Sequence, residues 1–236
     1  MNTPPNQKLV IAIDGPAGSG KSTTARALAR RLNYIYLDTG AMYRAFTLKV
    51  LREGIDLQDE EALSRLARQT DIHLKPTEDN LRVFLDGEDV TERIRTPEID
   101  RAISLVSRVK GVRERMVELQ RELGKRGGIV AEGRDIGTVV FPQADLKIFL
   151  VATPEARARR RLKDLKAQGI EASLEEVLAD IQRRDALDST RAVSPLKKAD
   201  DAVELDTSSL TIPQQVEAIL KLVEEKRKEK TRKPKT

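Results

Sequence analysis

KLVIAIDGPAGSGKST, Lys8 to Thr23, is the stretch on which the fold turns. Its first half is a short apolar run rich in Val and Ile, the pattern of a strand buried on both faces. Its second half meets the spacing G-x-x-x-x-G-K-[ST] with Gly15, Gly20, Lys21 and Ser22. An Ala-, Leu- and Arg-rich stretch with helical composition follows, from Lys21 to Leu32. Strand, glycine loop and helix in this order are the context in which the motif binds a nucleoside triphosphate. The glycines let backbone N–H groups converge on the phosphates, and the helix directs its positive end at them. Gly15, Pro16, Ala17, Gly18, Ser19, Gly20, Lys21, Ser22 and Thr23 are therefore the expected ATP phosphate-binding residues. Lys21 would bridge the outer phosphates, and the Ser22 hydroxyl would ligate Mg²⁺ carried with ATP as co-substrate.

Outward from this loop, strands and helices alternate. Tyr34 to Leu37 reads as a second strand, and 41–53 and 59–69 have helical apolar spacing. From Asp71 the texture changes: DIHLKP, NLRVFLDG and EDVT alternate apolar with polar, and Asp86-Gly87 is a hairpin turn signal. Two helical stretches follow, at about 97–107 and 110–126. GGIVAEGRD and DLKIFLVA then resume buried strands. Pro154 opens a long basic helix, Ser173-Leu174-Glu175-Glu176 has the form of a capping box, AVELDTS is a last strand, and a helix follows Ile212-Pro213. This alternation predicts an α/β fold, a parallel sheet with helices on both faces that binds ligands at the carboxyl ends of its strands. The alternating patch at about 70–105 reads as an insert able to move as a unit.

At 236 residues the chain fits one large domain or a core with an insert. It has no cysteine and one histidine, His73, which excludes disulfides, thiolate metal sites and a His-rich metal centre. His73 lies on the alternating insert, far from the motifs, and reads as structural or surface. No apolar run is long enough to span a bilayer, and MNTPPNQK lacks a signal-peptide apolar core, so a cytoplasmic protein with no membrane partner is expected. The net charge of +5 is concentrated: residues 226–236 carry +6, which leaves −1 for the rest. That tail reads as a solvated, frayed end rather than a nucleic-acid arm. Aromatics are 3% of residues, too few for base-stacking platforms, so no stable nucleic-acid partner is expected. No large exposed apolar face is evident, and a monomer is expected.

Three arginines mark where a second anion would sit. Arg44 follows the second strand in TGAMYR, Arg134 follows the strand in EGRD, and Arg191 stands in DALDSTR, read as a polar loop past a helix. A planar guanidinium suits bidentate clamping of phosphate, although each alone also fits a surface ion pair. A phosphate monoester has a second pKa of about 6, so at neutral pH it is already an anionic nucleophile. Transfer to it needs positioning and charge neutralisation rather than proton abstraction, which explains why no catalytic base stands out. The basic run RARRRLKDLK fits a solvated helix face equally well, with i,i+4 partners such as Arg160 and Asp164.

GPAGSGKST, LDTGAMYR, EGRDIGTVVFP and RDALDSTRAVSPL, in this order, closely resemble bacterial cytidylate (CMP) kinases, with the likeness running from about residue 8 to 220. The resemblance implies a P-loop NTPase-type core over 8–65 and 108–225, with a helical lid at about 155–190. It also implies a small α+β insert at 66–107 that binds the nucleoside monophosphate; residues 1–7 and 226–236 would be flexible termini. It implies phosphorylation of CMP and dCMP by ATP. Arg44, Arg134 and Arg191 would hold the acceptor phosphate, and Thr39 and Tyr43 would belong to the CMP site. Ser104, Arg113 and Asp135 would read the cytosine, and Arg184 and Asp188 would bind the sugar. Arg157, Arg160 and Arg161 would close over the triphosphate and act with Lys21 and Arg134 in catalysis. The family commonly has Ser at Thr39, and some relatives have Asp at Glu132. Cytosine's amino group can donate to a carboxylate such as Asp135, whereas uracil's carbonyl oxygen cannot. Asp135 also fits a helix cap or an ion pair with Arg134. Kinases for UMP, AMP or shikimate, a regulatory nucleotide switch and a tail-driven nucleic-acid binder are the rival readings.

Overall fold

A computed structural model of the chain describes residues 8–77, 81–167 and 169–232. The expected flexible segment 1–7, and 233–236 of the expected tail, lie outside the described residues. Five parallel strands form the main sheet: β1 (Val10–Asp14), β2 (Ile35–Asp38), β6 (Ile129–Gly133), β7 (Leu146–Val151) and β8 (Val203–Asp206), in the order β2-β6-β1-β7-β8. The first strand lies at the centre, as its apolar run Val10 to Ile13 demands. Its alternation sorts the core: Ile11 and Ile13 pack on the face covered by α1 (Lys21–Leu32) and α8 (Ile212–Arg232). Ala12 faces the opposite layer, with α2 (Thr39–Arg52), α3 (Glu60–Gln69) and α5 (Lys110–Gly124).

The insert is a three-stranded antiparallel sheet of β3 (Ile72–Pro76), β4 (Leu81–Leu85) and β5 (Glu88–Asp89), followed by α4 (Pro97–Val106). Asp86 and Gly87 turn between β4 and β5, both with positive φ, 48° and 84°, as a two-residue hairpin of that composition requires. The buried Ile72, Val83, Leu85, Val90 and Ile99 share one core with α2, α3 and α5, so the insert is packed on the main body through an apolar face.

On the other side lie α6 (Pro154–Ala167) and α7 (Leu174–Thr190), which pack together through Ala158, Val177 and Ile181. The capping box opening α7 is formed: Glu176 N donates to Ser173 Oγ at 3.1 Å, and Ser173 N donates to Glu176 Oε2 at 2.8 Å. Two expectations are corrected. Asp185 to Thr190 is not a loop but the end of α7, and only Arg191, extended at φ −61°, ψ 139°, leaves the helix. Residues 226–232 do not fray but continue α8, because Arg227 reaches Tyr34 and Lys230 pairs with Asp145.

Candidate active site

The register of the sheet sets the carboxyl ends of β1, β2 and β6 level, with Asp14 opposite Gly133 and Asp38 opposite Glu132, while β7 runs two residues past Phe149, the partner of Asp14. The phosphate loop leaves β1 at this edge. Gly15 turns it with φ +150°, and a Cβ there would come within 2.2 Å of the Leu150 carbonyl oxygen. Both oxygens of the buried Asp14 accept backbone N–H groups, from Ile136 and Gly137, each at 2.7 Å. These bonds hold the turn after β6, which winds as a short π-helix, Ile136–Val140. Burial raises the Asp14 carboxyl to about 6, against the lowering effect of the same two bonds. With both oxygens so occupied, Asp14 supports the loop after β6 rather than facing the phosphates.

Lys21 is buried, and its Nζ donates to the Pro16 carbonyl oxygen at 2.7 Å. Burial, and next the charge of Arg134, lower its ammonium from 10.5 to about 7, while Glu132, Asp188 and Asp14 pull the other way. The Ser22 hydroxyl donates to Glu132 Oε1 at 2.6 Å, and the Tyr36 hydroxyl meets the same oxygen at 3.2 Å. Burial and then Asp38 raise the Glu132 carboxyl.

A cavity of about 630 Å³ opens over this edge. Its walls bring together Lys21, Ser22, Thr39, Tyr43, Arg44, Ser104, Arg113, Arg134, Asp135, Arg160, Arg161, Arg184, Asp188 and Arg191. The three arginines expected to hold an acceptor phosphate thus share one space with the phosphate-loop lysine. Ala17, Gly18, Gly20 and Thr23 line it too; Gly15, Pro16 and Ser19 stand behind the loop and shape it. Ser19 is fully buried, its Oγ unpartnered among the described residues, and its carbonyl oxygen accepts from Thr207 Oγ1 at 3.0 Å.

The guanidinium groups are held by carboxylates. Arg134 Nε donates to Asp188 Oδ2 at 2.7 Å, so Asp135 does not pair with Arg134. Asp135 instead pairs with Arg113, both buried, and its second oxygen lies 4.0 Å from Arg191 Nη2. Nor does Asp135 cap a helix with its side chain. Arg113 lies over the Tyr43 ring, 5.4 Å from its centroid. The Tyr43 hydroxyl is unpartnered among the described residues and is raised to about 12 by burial. Thr39 donates its hydroxyl proton to the Glu132 carbonyl oxygen at 2.7 Å.

The α6 arginines divide. Arg160 is anchored on the Thr207 carbonyl oxygen and Oγ1, and Arg161 Nη2 meets Asp100 Oδ2 at 2.8 Å. Asp164, offered as a surface partner for Arg160, is not its partner here. Arg157 is not on the cavity wall. It is buried behind the loop, forked onto Asp185 at 2.9 and 2.6 Å and bonded to the Ala17 carbonyl oxygen at 3.1 Å. Arg159 is exposed, and His73 is exposed beside Asp71.

The family model for cytidylate kinase matches residues 11–225 of the chain. The chain belongs to the cytidylate kinase family. It is 54% identical over 230 residues to a cytidylate kinase of Pelotomaculum thermopropionicum, covering 97% of this chain and all of that one. To a cytidylate kinase of Bacillus subtilis it is 52% identical over 220 residues, covering 93% and 98%. Among solved structures, an uncharacterised protein from Eubacterium ventriosum matches with a TM-score of 0.51 at 13% identity, over 93% of this chain and 99% of that chain. That likeness concerns the fold alone. The carboxylates that the sequence does not single out are Asp100 and Asp185, and Asp14, a candidate metal contact by its place at the end of the first strand, instead holds the turn after β6. Asp100 and Asp185 are each one acidic residue among 38, and only a long-range partner distinguishes them.

Proposed function

We propose that the chain transfers the terminal phosphoryl group of ATP to CMP, and to dCMP, giving CDP or dCDP. The observation that carries this is the shared cavity: Arg44, Arg134 and Arg191 face the same space as Lys21. ATP would lie with its outer phosphates on the 15–23 loop, its added charge held by Lys21. The acceptor phosphate would lie among the three arginines, with its oxygen aimed in line at the γ-phosphorus. That oxygen attacks, the bond from phosphorus to the bridging oxygen breaks, and ADP leaves carrying the electron pair. No side chain removes a proton, and the guanidinium groups offset the charge spread over the transferring group. Arg160 and Arg161, on the α6 wall, would add to that field when α6 and α7 close and exclude water.

Base selection would rest on Asp135, held by Arg113, accepting from the amino group of cytosine, with Ser104 beside it. Arg184 and Asp188 would meet the sugar. Mg²⁺ fits the donor set at the loop, a hydroxyl and a carboxylate oxygen from Ser22 and Glu132. No cluster of three metal-ligating side chains stands among the described residues, which suits an ion that mostly takes phosphate oxygens and water. Bound there, Mg²⁺ would neutralise phosphate charge. We place the protein in the cytoplasm as a monomer. Among the described residues no helix is long and apolar enough to cross a membrane.

The test is a coupled assay across CMP, dCMP, UMP, AMP and shikimate with ATP and Mg²⁺. CMP and dCMP are expected to turn over far faster than the rest, with ADP and CDP formed in equal amounts. Comparable rates on AMP would defeat the proposal, and ADP formed without CDP would favour a nucleotide switch.

A further inference from the structure

The acceptor arginines already hold an anion of the protein's own. Asp100 stands in the first turn of α4, on the insert, and lines the cavity. One of its oxygens pairs with Arg44; the other accepts from Arg161 Nη2 at 2.8 Å. Arg44 comes from α2 in the core, and Arg161 from α6 on the opposite wall. A single carboxylate therefore ties three elements together across the cleft, each oxygen on a different guanidinium. A phosphate monoester clamped by Arg44 would place its oxygens in the same way. Burial works to raise the Asp100 carboxyl, but Arg44, Arg184 and Arg161 together hold it below the usual carboxylate range. The side chain is only 16% exposed, so its charge is poorly screened by solvent.

Two anions cannot take one face of Arg44 at once. The acceptor phosphate carries close to two negative charges at neutral pH, and a carboxylate left beside it would repel it. Resting on the acceptor assignment above, we infer that Asp100 is a positioning residue that stands in for the acceptor's phosphate. It holds Arg44 and Arg161 in place across the cleft and is displaced when the monophosphate enters. Asp100 then sets acceptor affinity through the phosphate and not through the base. It also keeps the acceptor arginine and the α6 arginine from repelling each other before substrate arrives.

Cytidine, which has the base and sugar but no phosphate, separates these contributions. The experiment is calorimetric titration of the full chain with CMP and with cytidine, for the wild type, Asp100→Asn and Asp100→Glu. The Asn variant is expected to bind CMP roughly tenfold tighter and cytidine within about twofold of wild type. The Glu variant keeps the charge and is expected to hold the wild-type ratio of the two affinities. If Asn does not fold, as judged by circular dichroism, Asp100→Ser removes the same charge. An unchanged or lowered CMP-to-cytidine ratio in the charge-removing variant overturns the inference, as does equal weakening of both ligands, the mark of a purely structural residue. A wild type that fails to bind CMP overturns the acceptor assignment and the stand-in with it. One that binds CMP normally, with a ratio the variants do not move, overturns the stand-in alone.

Discussion

Lys21 would meet the phosphates from a buried position, its Nζ donating to its own loop at the Pro16 oxygen. Its ammonium titrates at about 7, because burial and then Arg134 disfavour the charge. An arriving triphosphate is expected to reverse that balance and leave the bound lysine protonated. Above pH 7 the free enzyme holds a largely neutral lysine, so ATP binding takes up a proton; below pH 6 the lysine is already charged and uptake vanishes. At pH 8 the uptake is expected to be about one proton per ATP. Calorimetry in buffers of different ionisation enthalpy measures it, and a slope of zero at pH 8 refutes the charge switch. Lys21→Arg, which stays protonated throughout, should abolish the pH dependence of uptake. Asp135 supports a second prediction at this scale. Removing it outright would leave the buried Arg113 charge without its carboxylate, with only the Ser107 carbonyl oxygen and the Tyr43 ring to face it, at a cost of about 3–5 kcal/mol, so Asp135→Asn, which keeps an acceptor oxygen for Arg113, is the better variant. An amide presents a donor that uracil's oxygen can accept, and the CMP-to-UMP ratio of kcat/KM should fall by at least about tenfold. The KM for ATP should stay near wild type. An unmoved ratio would remove Asp135 from base recognition.

Among the elements, α6 carries two kinds of arginine that its sequence does not separate. Arg157 braces the phosphate loop from behind, forked onto Asp185 of α7 and bonded to the Ala17 carbonyl oxygen. Arg160 and Arg161 reach the cavity. Arg157→Ala should therefore destabilise the fold, by about 2 kcal/mol given the partial exposure of Asp185. Arg160→Ala should cost little stability and lower kcat. Urea unfolding with a constant m-value, set beside steady-state kinetics, checks both; the reverse pattern would exchange the two roles. The RARRRLKDLK run shows a helix and its charge, but the inward positions depend on where α7 lies. Likewise the main-sheet strands as segments, the phosphate loop and the capping box at Ser173 were legible, because each rests on local periodicity or on spacing, whereas the order of the strands in the sheet was not. The helical state of Asp185 to Thr190 was not, since ALDST is polar and breaks the apolar period. The π-helical turn was not either: it is held by Asp14, 122 residues away from Ile136.

For the molecule as a whole, the open matter is the basic end of the chain. The cytidylate kinase match stops at residue 225, where the positive run begins. The helix nevertheless continues to Arg232 and returns to the amino-terminal edge of the central strand. Arg227 Nη2 donates to the Tyr34 hydroxyl at 3.2 Å, and that hydroxyl accepts from Leu9 N at 2.9 Å. Lys230 pairs with Asp145, whose other oxygen accepts from Val10 N at 2.7 Å. Both contacts close on the start of β1, at the end of the sheet opposite the cavity. A stabilising role that leaves catalysis alone follows from this placement. Deleting residues 226–236 should cost about 1–2 kcal/mol, from one partly exposed ion pair, Lys230 with Asp145, one hydrogen bond, Arg227 to Tyr34, and the placement of Arg227 over the Tyr34 ring, 6.0 Å from its centroid. For a chain of this size that lowers Tm by roughly 2–8 °C. The kcat/KM for CMP should be unchanged, because among the described residues none past Gln215 lines the cavity. Thermal unfolding and the coupled assay on the truncated chain decide it: a drop in kcat/KM with Tm intact would give the basic end a part in the reaction, and a Tm that does not move would show that these contacts do not stabilise the fold.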